Sequence, residues 1–131
     1  TALKRDEILT AITVPAYGNM PGMGGCYLKH RHPASSYAVV GVAAMVGLMD
    51  GKVARVSVVV GGATENPMHA KAVEAALMGM APTAENIAAA ADKMDVKATM
   101  SDTYASADYR MHLAKVMAKR ALMMAAERAR M

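Results

Sequence analysis

The chain has 131 residues, of which 54% are hydrophobic and 20% charged, with a formal net charge of +4 and a pI near 9.3. These values predict a single globular domain over residues 1–131, exclude an intrinsically disordered chain, and fall short of the charge that a dedicated nucleic-acid binder concentrates on one face. The single cysteine excludes an internal disulfide and a four-thiolate iron–sulfur cluster within this chain.

The N-terminal segment carries charged residues, Lys4 to Glu7, where a signal peptide would need an apolar run. We therefore expect no signal peptide and a cytoplasmic location. Residues 6–14 then alternate in polarity, and Pro15 ends the run. Such alternation predicts a β-strand, one face of which would carry Ile8, Thr10, Ile12 and Val14.

Residues 17–25 hold four of the ten glycines and a proline, which predicts a loop whose backbone can approach a ligand closely. A short extended segment follows, from Cys26 to His32, and Pro33 ends it. In a strand, one face would carry Cys26, Leu28, His30 and His32, and the other would carry Tyr27, Lys29 and Arg31.

Two apolar runs, residues 37–49 and 52–61, meet at Asp50-Gly51. This dipeptide is the strongest short-range hairpin signal, because both central residues of the turn need positive φ. The second run is rich in valine, whose branched side chain suits a pleated strand. We therefore predict an antiparallel hairpin over residues 37–62.

The residues after the hairpin, Gly61 to Pro67, predict a turn that leads into a helix. Asn66 is the expected N-cap and Pro67 the first helical residue, and the helix is expected to end near Met78, before Gly79. Two glycines before a helix resemble a phosphate-binding loop. No Lys-Ser/Thr follows, however, and the chain has no G-x-G-x-x-G, so a tight turn is the better interpretation.

A second helix is predicted from its N-cap Thr83 to about Met94, and a third from about Ala105 to Arg128, after a loop over residues 95–103. The apolar stripe expected on the third helix consists of Tyr109, Leu113, Val116, Met117, Ala121 and Met124. Strands followed by helices predict an α+β fold, in which an antiparallel sheet built on the central hairpin is followed by three C-terminal helices packed on one face.

The chain has fourteen methionines and neither phenylalanine nor tryptophan. We expect these methionines to fill a soft core rather than to form a methionine-rich contact face. The basic C-terminal end of the third helix suits a membrane surface or an acidic partner. We prefer the simpler interpretation, in which cations near a helix C-terminus interact favourably with the helix dipole.

Two groups of side chains near the glycine-rich loop bear on function. Cys26, His30 and His32 have the ligand types of a zinc or copper site, but a fourth ligand is missing, so we favour an ordinary buried thiol and two polar histidines. Lys29 and Arg31 could stabilise an anion, or a redox cofactor that gains negative charge on reduction. Their alternative role is to protect a strand edge against aggregation.

Four motifs in order resemble one family over nearly the whole chain, from the run at Ile8 to the helix that ends near Arg128. They are Tyr27-Leu28-Lys29-x-Arg31, the run from Tyr37 to Ala43, the stretch from Gly61 through Pro67 to Gly79, and the stretch from Ala105 through Leu113 to Leu122. Together they resemble the C-terminal domain of the FAD-binding medium subunit of molybdenum hydroxylases, the carbon monoxide dehydrogenase and xanthine dehydrogenase family.

The resemblance implies part of a multi-subunit oxidoreductase, in which a flavoprotein subunit passes electrons from iron–sulfur clusters to an acceptor. In that family an N-terminal domain holds most of the FAD, and the C-terminal domain covers the flavin from one side. The resemblance therefore implies that Lys29 lies beside the flavin ring, with Tyr27 and Arg31 as weaker cofactor-binding neighbours. The Arg-Arg pair common after that lysine appears here as His30-Arg31-His32.

The resemblance assigns no catalytic residue and no metal ligand to this chain. Its implied partners are an FAD-binding domain, a molybdenum subunit and an iron–sulfur subunit, so that the molybdenum cofactor and the clusters lie only in partner subunits. Nucleic-acid binding and membrane insertion are not expected. The alternative is a free-standing, non-enzymatic module of the same fold, which forms homo-oligomers or binds a partner through methionine-rich surfaces.

Overall fold

The computed structural model describes residues 2–14 and 22–131. Its four strands are β1 (Met23–Arg31), β2 (Ala38–Met49), β3 (Lys52–Gly61) and β4 (Met68–His69), and they form one antiparallel sheet in that order. The helices that follow are α1 (Lys71–Leu77), α2 (Ala84–Asp92) and α3 (Ala107–Ala129). The predicted α+β fold, an antiparallel sheet followed by three helices, is confirmed.

The central hairpin forms where the sequence predicts it. Strands β2 and β3 are joined at Asp50 and Gly51, whose φ angles are 52° and 73°. Both central residues therefore adopt the left-handed conformation that a two-residue hairpin turn requires. The predicted hairpin over residues 37–62 is confirmed to within one residue at each end.

The two faces of the sheet have different surroundings. One face is covered by helices, with α3 packed on β1 and β2, α1 packed on β3, and α2 between α1 and α3. The buried side chains of the strands on this face are Cys26, Val40, Val42, Ala44, Val46, Val58 and Val60. None of the described helices covers the opposite face, which we call the helix-free face. It carries Tyr27, Lys29, Ala43, Met45, Ser57 and Val59.

Most of the described methionines do not fill the core. Met94 and Met117 are the two buried ones, whereas the exposed ones are Met49, Met68, Met78, Met80, Met100, Met123, Met124 and Met131. The expectation that methionine replaces phenylalanine in the core is therefore wrong for most of them. The core has little room for methionine, because the side of α3 that faces the sheet carries small side chains and the helix packs closely on the strands. These side chains are Ala114, Ala118, Ala121 and Ala125.

The strand predicted over residues 6–14 is absent from the described sheet. Ile8, Ile12 and Val14 are 85%, 78% and 78% exposed, so the alternation does not match burial against this fold. A strand needs a neighbour to satisfy its backbone, and the four-stranded sheet does not include this segment. Residues 17–21 of the predicted glycine-rich loop lie outside the described residues, and residues 23–25 belong to β1 instead.

The first helix begins later than predicted. Asn66 is not its N-cap and Pro67 is not helical, because residues 68–69 pair with β3 as strand β4. The amide of Ala70 then donates to the Val58 carbonyl at 2.8 Å, and α1 starts at Lys71 with no side-chain cap. Strand pairing therefore overrides the local N-cap signal.

The ends of the helices otherwise follow local signals. Gly79, with φ of 75°, follows α1 as predicted, and its amide donates to the Val53 carbonyl at 2.8 Å. The Thr83 side chain caps α2 as predicted, by accepting from the Asn86 amide at 3.2 Å. A hydrogen bond from the backbone amide of Glu85 to its own carboxylate, and then one from the Thr83 side chain, lower the pKa of Glu85.

The buried stripe of α3 is rotated from the predicted one. Leu113, Met117 and Ala121 are buried as expected, but Tyr109 and Met124 are 42% and 38% exposed. At the start of the helix the buried residue is Arg110 instead, with 4% of its surface exposed. The apolar pattern alone misplaced this face, because the arginine finds buried hydrogen-bond acceptors that offset the cost of its burial.

Candidate functional site

Aromatic and basic side chains concentrate at one end of the sheet, where β1 ends, β2 begins and α3 begins. We call this group the aromatic–basic end, and its members are Lys29, His30, Arg31, His32, Tyr37, Tyr104 and Tyr109. The ring of His30 meets Tyr109 edge-on, with centroids 6.2 Å apart, and the ring of His32 lies 4.5 Å from that of Tyr104. Side chains from sequence-distant segments thus lie at the same end of the sheet.

Tyr27 lies on the helix-free face with its ring across Gly41. A Cβ at Gly41 would lie 3.1 Å from Tyr27 Cζ and closer still to its hydroxyl oxygen, so the ring occupies the space that a side chain would fill. Tyr27 pairs with Ala43, which makes Gly41 its diagonal neighbour across the strands. With 58% of its surface exposed, Tyr27 presents the other side of its ring as a flat aromatic surface.

Lys29 lies beside this aromatic surface. It follows Tyr27 by two residues on the same strand face, about 7 Å along the strand, and it pairs with Gly41. Its Nζ donates a hydrogen bond to the Ser36 carbonyl oxygen at 3.0 Å. The positive charge is therefore held at the edge of the helix-free face instead of extending freely into solvent.

Arg31 is the outermost of the three predicted cofactor-binding residues. It is exposed at the end of β1, after a shift in the pairing register between His30 and Arg31. The structure thus brings Tyr27 and Lys29 together over Gly41, while Arg31 lies at the periphery of the aromatic–basic end.

Two contributors to this surface were not predicted from the sequence. Tyr37, which is 78% exposed, follows Ser36 and directly precedes β2. Ser36 supplies the carbonyl that holds Lys29, and its φ is 59°. Serine has no strong preference for this conformation, so the local sequence carried little signal for it. The only sequence signal for this part of the surface was an aromatic residue, Tyr37, close in sequence to the candidate cation Lys29.

The three candidate metal ligands on β1 have separate surroundings. The Cys26 thiol donates to the sulfur of Met124 at 3.7 Å, on the face under α3. His30 and His32 instead contact two different tyrosines. Among residues 2–14 and 22–131, no group of three or more Cys, His, Asp or Glu side chains is placed to hold a metal ion.

The Gly61-Gly62 turn is occupied by a side chain of the protein itself. One Nη of Arg110 donates to the carbonyl oxygens of Val39 and Gly62, at 2.6 and 2.7 Å, and the other pairs with Asp102 Oδ2 at 2.6 Å. Hydrogen bonds from the Ala105 and Tyr104 amides, together with Arg110, lower the pKa of Asp102. The turn therefore serves the fold, as the tight-turn interpretation predicts.

The basic end of α3 also makes contacts within the fold. Arg128 donates to the Gly25 carbonyl oxygen in β1, and Arg130 donates to the Pro82 carbonyl oxygen at 2.9 Å, before α2. Within the part of the chain that the structure describes, no helix has both the length and the apolar character to cross a membrane. The hydrogen bonds of Arg128 and Arg130 join the C-terminal end of α3 to β1 and to the residues before α2.

A shallow depression of about 480 Å³ extends from Tyr27 across the helix-free face. Its lining combines small residues with Met45 and Val59, and a planar group could lie against the sheet beside the tyrosine ring. The lining residues are Gly25, Cys26, Tyr27, Ala43, Ala44, Met45, Ser57, Val59 and Arg128. The exposed Tyr27 ring, a mostly apolar floor and the Arg128 cation in the lining fit a planar aromatic group, while Lys29 lies further along β1, outside this lining.

Comparisons with known proteins agree with one another. A family model described as the CO dehydrogenase flavoprotein C-terminal domain matches residues 26–125. The chain is 30% identical over 133 residues to the carbon monoxide dehydrogenase medium chain of Afipia carboxidovorans, a match that covers 99% of this chain and 45% of that protein. The chain therefore spans a little under half of the length of this relative.

Solved structures share the fold. A carbon monoxide dehydrogenase from Hydrogenophaga pseudoflava, in a form that lacks the molybdenum-pyranopterin moiety of its molybdenum cofactor, matches with a TM-score of 0.77 and 33% identity, over 88% of this chain and 40% of that one. Quinoline 2-oxidoreductase from Pseudomonas putida 86 matches with a TM-score of 0.75 at 24% identity, over 83% of this chain and 39% of that one. The second likeness shows the fold alone.

Proposed function

Since this chain belongs to the family of CO dehydrogenase flavoprotein C-terminal domains, we propose that it covers the FAD of a molybdenum hydroxylase from one side. In this proposal residues 1–131 form one domain, and the cradle for most of the FAD lies outside the chain. The observation that carries the proposal is the pairing of an exposed tyrosine ring with a held lysine on the helix-free face.

Tyr27 and Lys29 would have different roles at the flavin. The exposed side of the Tyr27 ring offers a stacking surface, because Gly41 lets the ring lie against the sheet. The ammonium group of Lys29 favours negative charge on a neighbouring aromatic group. Arg31, exposed at the end of β1, would contribute a more distant positive charge. The flavin, when bound, supplies the redox chemistry, and this chain supplies orientation, charge and exclusion of water.

The partners follow from the same proposal. A relative is named as the medium chain of carbon monoxide dehydrogenase, and a matching carbon monoxide dehydrogenase structure is described as lacking the molybdenum-pyranopterin moiety of its molybdenum cofactor. We infer that this chain packs against an FAD-binding domain and assembles with molybdenum and iron–sulfur subunits, so that electrons pass through the flavin to an acceptor. A cytoplasmic location suits a chain with one cysteine and no disulfide.

Replacement of Lys29 is expected to weaken flavin binding. In a titration of the purified chain with FAD, followed by flavin fluorescence, Lys29→Ala should raise the dissociation constant about tenfold, which is the loss of one charge-assisted contact. Lys52→Ala is the matched control, since Lys52 begins β3 at the opposite end of the sheet. It should bind like the unchanged chain.

Two outcomes would count against the flavin proposal. Equal affinities for Lys29→Ala and Lys52→Ala would remove Lys29 from the flavin site. Absence of saturable binding by the unchanged chain, together with a discrete oligomer on size exclusion, would favour the alternative of a non-enzymatic module. The exposed methionines of α3, Met123 and Met124, make that alternative specific, because they would be the first residues to test at its contact face.

A further inference from the structure

The turn between β1 and β2 is built on the side chain of His32. Its Nδ1 accepts hydrogen bonds from the Ala34 and Ser35 amides, at 3.3 and 3.4 Å. An Asn or Asp side chain that bonds the amide two residues further on forms a turn in the same way. His32 therefore replaces the usual Asx residue of such a turn, in a form that also carries an aromatic ring.

The backbone of the same turn is closed at both ends. The His32 amide donates to the Tyr37 carbonyl at 2.8 Å, and the Ser36 amide donates to the His32 carbonyl at 2.9 Å. Ser36 has a φ of 59°, a conformation that non-glycine residues adopt at some cost. The surrounding hydrogen bonds must offset that cost, and those that Nδ1 accepts from the Ala34 and Ser35 amides lie at the centre of the turn.

This turn is what holds Lys29. The carbonyl oxygen of Ser36 accepts from Lys29 Nζ at 3.0 Å, so the direction of that carbonyl decides where the ammonium group lies. The ring of His32 is in turn held against Tyr104, whose amide donates to Asp102 at 2.9 Å. A continuous set of contacts thus joins the loop before α3 to the position of Lys29.

We propose that His32 is a positioning residue for Lys29, and that its Nδ1 acts by holding the turn whose Ser36 carbonyl anchors the lysine. The inference rests on the proposed function, in which Lys29 lies beside the flavin. It assigns to His32 a role apart from metal binding and apart from contact with the cofactor.

Two substitutions separate the acceptor from the ring. His32→Asn keeps an acceptor that can bond the amide two residues on but removes the aromatic contact with Tyr104, whereas His32→Phe keeps the ring and removes the acceptor. Relaxation measurements by NMR on the purified chain would report the order of the Lys29 Cε methylene and of the Ala34 and Ser35 amides. Lys52, an exposed lysine, is the internal reference for a side chain without this anchor.

The expected result is loss of Lys29 order to the level of Lys52 in His32→Phe, and retention of order in His32→Asn. In the FAD titration, His32→Phe should weaken binding about twofold to tenfold, which is the cost of ordering one long side chain on binding. His32→Asn should bind FAD like the unchanged chain. Unchanged Lys29 order in His32→Phe would overturn the inference, whatever the flavin result.

The FAD titration distinguishes failure of this inference from failure of the proposed function. If His32→Phe releases Lys29 but binds FAD as the unchanged chain does, while Lys29→Ala binds weakly, His32 holds Lys29 without positioning it for the flavin, so the inference fails and the proposed function stands. If Lys29→Ala itself binds FAD normally, the proposed function fails. The NMR comparison then decides by itself whether His32 holds Lys29.

Discussion

Arg110→Met is expected to lower the free energy of unfolding by about 2–4 kcal/mol, because two backbone carbonyl oxygens lose their donor and an unsatisfied buried acceptor costs about 1–3 kcal/mol. The guanidinium of Arg110 serves the carbonyl oxygens of Val39 and Gly62 as well as Asp102. Methionine has a similar length but no donor, so the Val39 and Gly62 carbonyl oxygens lose their partner, whereas water can reach the half-exposed Asp102 carboxylate. Urea unfolding followed by circular dichroism would measure the change, with a constant m-value as the check on two-state behaviour.

Arg128→Met is the matched control for this substitution. Arg128 also lies on α3 and donates to a backbone carbonyl, that of Gly25, but it is exposed. We expect its loss to cost less than about 1 kcal/mol, since exposed hydrogen bonds are replaced by water. Equal unfolding midpoints for the two variants would show that Arg110 does not join β2, the Gly62 turn and α3 as inferred.

The pairing with Asp102 adds a pH signature to the same experiment. Hydrogen bonds from the Ala105 and Tyr104 amides, and the charge of Arg110, lower the pKa of Asp102 in the folded state. A lowered folded-state pKa contributes stability above the unfolded pKa, and this contribution is lost as the pH falls through the folded pKa. The difference between the unchanged chain and Asp102→Asn should therefore be largest at neutral pH and should shrink in acid.

Gly24→Ala is expected to destabilise the fold by about 3 kcal/mol, at the upper end of the usual cost of overpacking. A Cβ at Gly24 would lie 2.5 Å from the Ala129 amide nitrogen and 2.9 Å from the Arg128 carbonyl carbon, and closer still to the Ala125 carbonyl oxygen. These are backbone atoms of α3, so the helix itself would have to move away from β1. Urea midpoints, with the m-value monitored, measure the effect.

Gly25→Ala is the matched control one residue along the strand. A Cβ there would meet nothing closer than the Ala44 carbonyl oxygen, at 3.9 Å. Alanine loses less backbone entropy than glycine on folding, so we expect Gly25→Ala to be neutral or to stabilise the strand by up to about 1 kcal/mol. A similar loss in both variants would mean that strand conformation, and not the contact with α3, requires glycine in β1.

The two stability predictions concern the contacts that give the proposed flavin surface its shape. Gly24 lets α3 lie close on one face of β1, while Tyr27 and Lys29 project from the other face of the same strand. Arg110 holds the start of β2 through Val39, two residues before Gly41. The covered side of the sheet thus sets the geometry on which the helix-free face depends.

Local signals in the sequence determined the parts of the fold that short-range geometry controls. The Asp50-Gly51 turn, the Thr83 N-cap and the glycine after α1 formed where predicted, because positive φ and a capping oxygen act within a few residues. Alternation along β1 placed Tyr27 and Lys29 on one face for the same reason. The order of the motifs identified the family, which the comparisons confirm.

Only the tertiary structure decided what depends on a distant partner. Residues for which the sequence predicted the start of a helix form β4 instead, because His69 pairs with Val59. At the start of α3, buried carbonyl acceptors make Arg110 the buried residue in place of Tyr109. The ring of His32, in the turn before β2, contacts Tyr104 in the loop before α3. Such outcomes depend on register and on acceptors supplied by other segments, and no pattern within one segment specifies where those acceptors will lie.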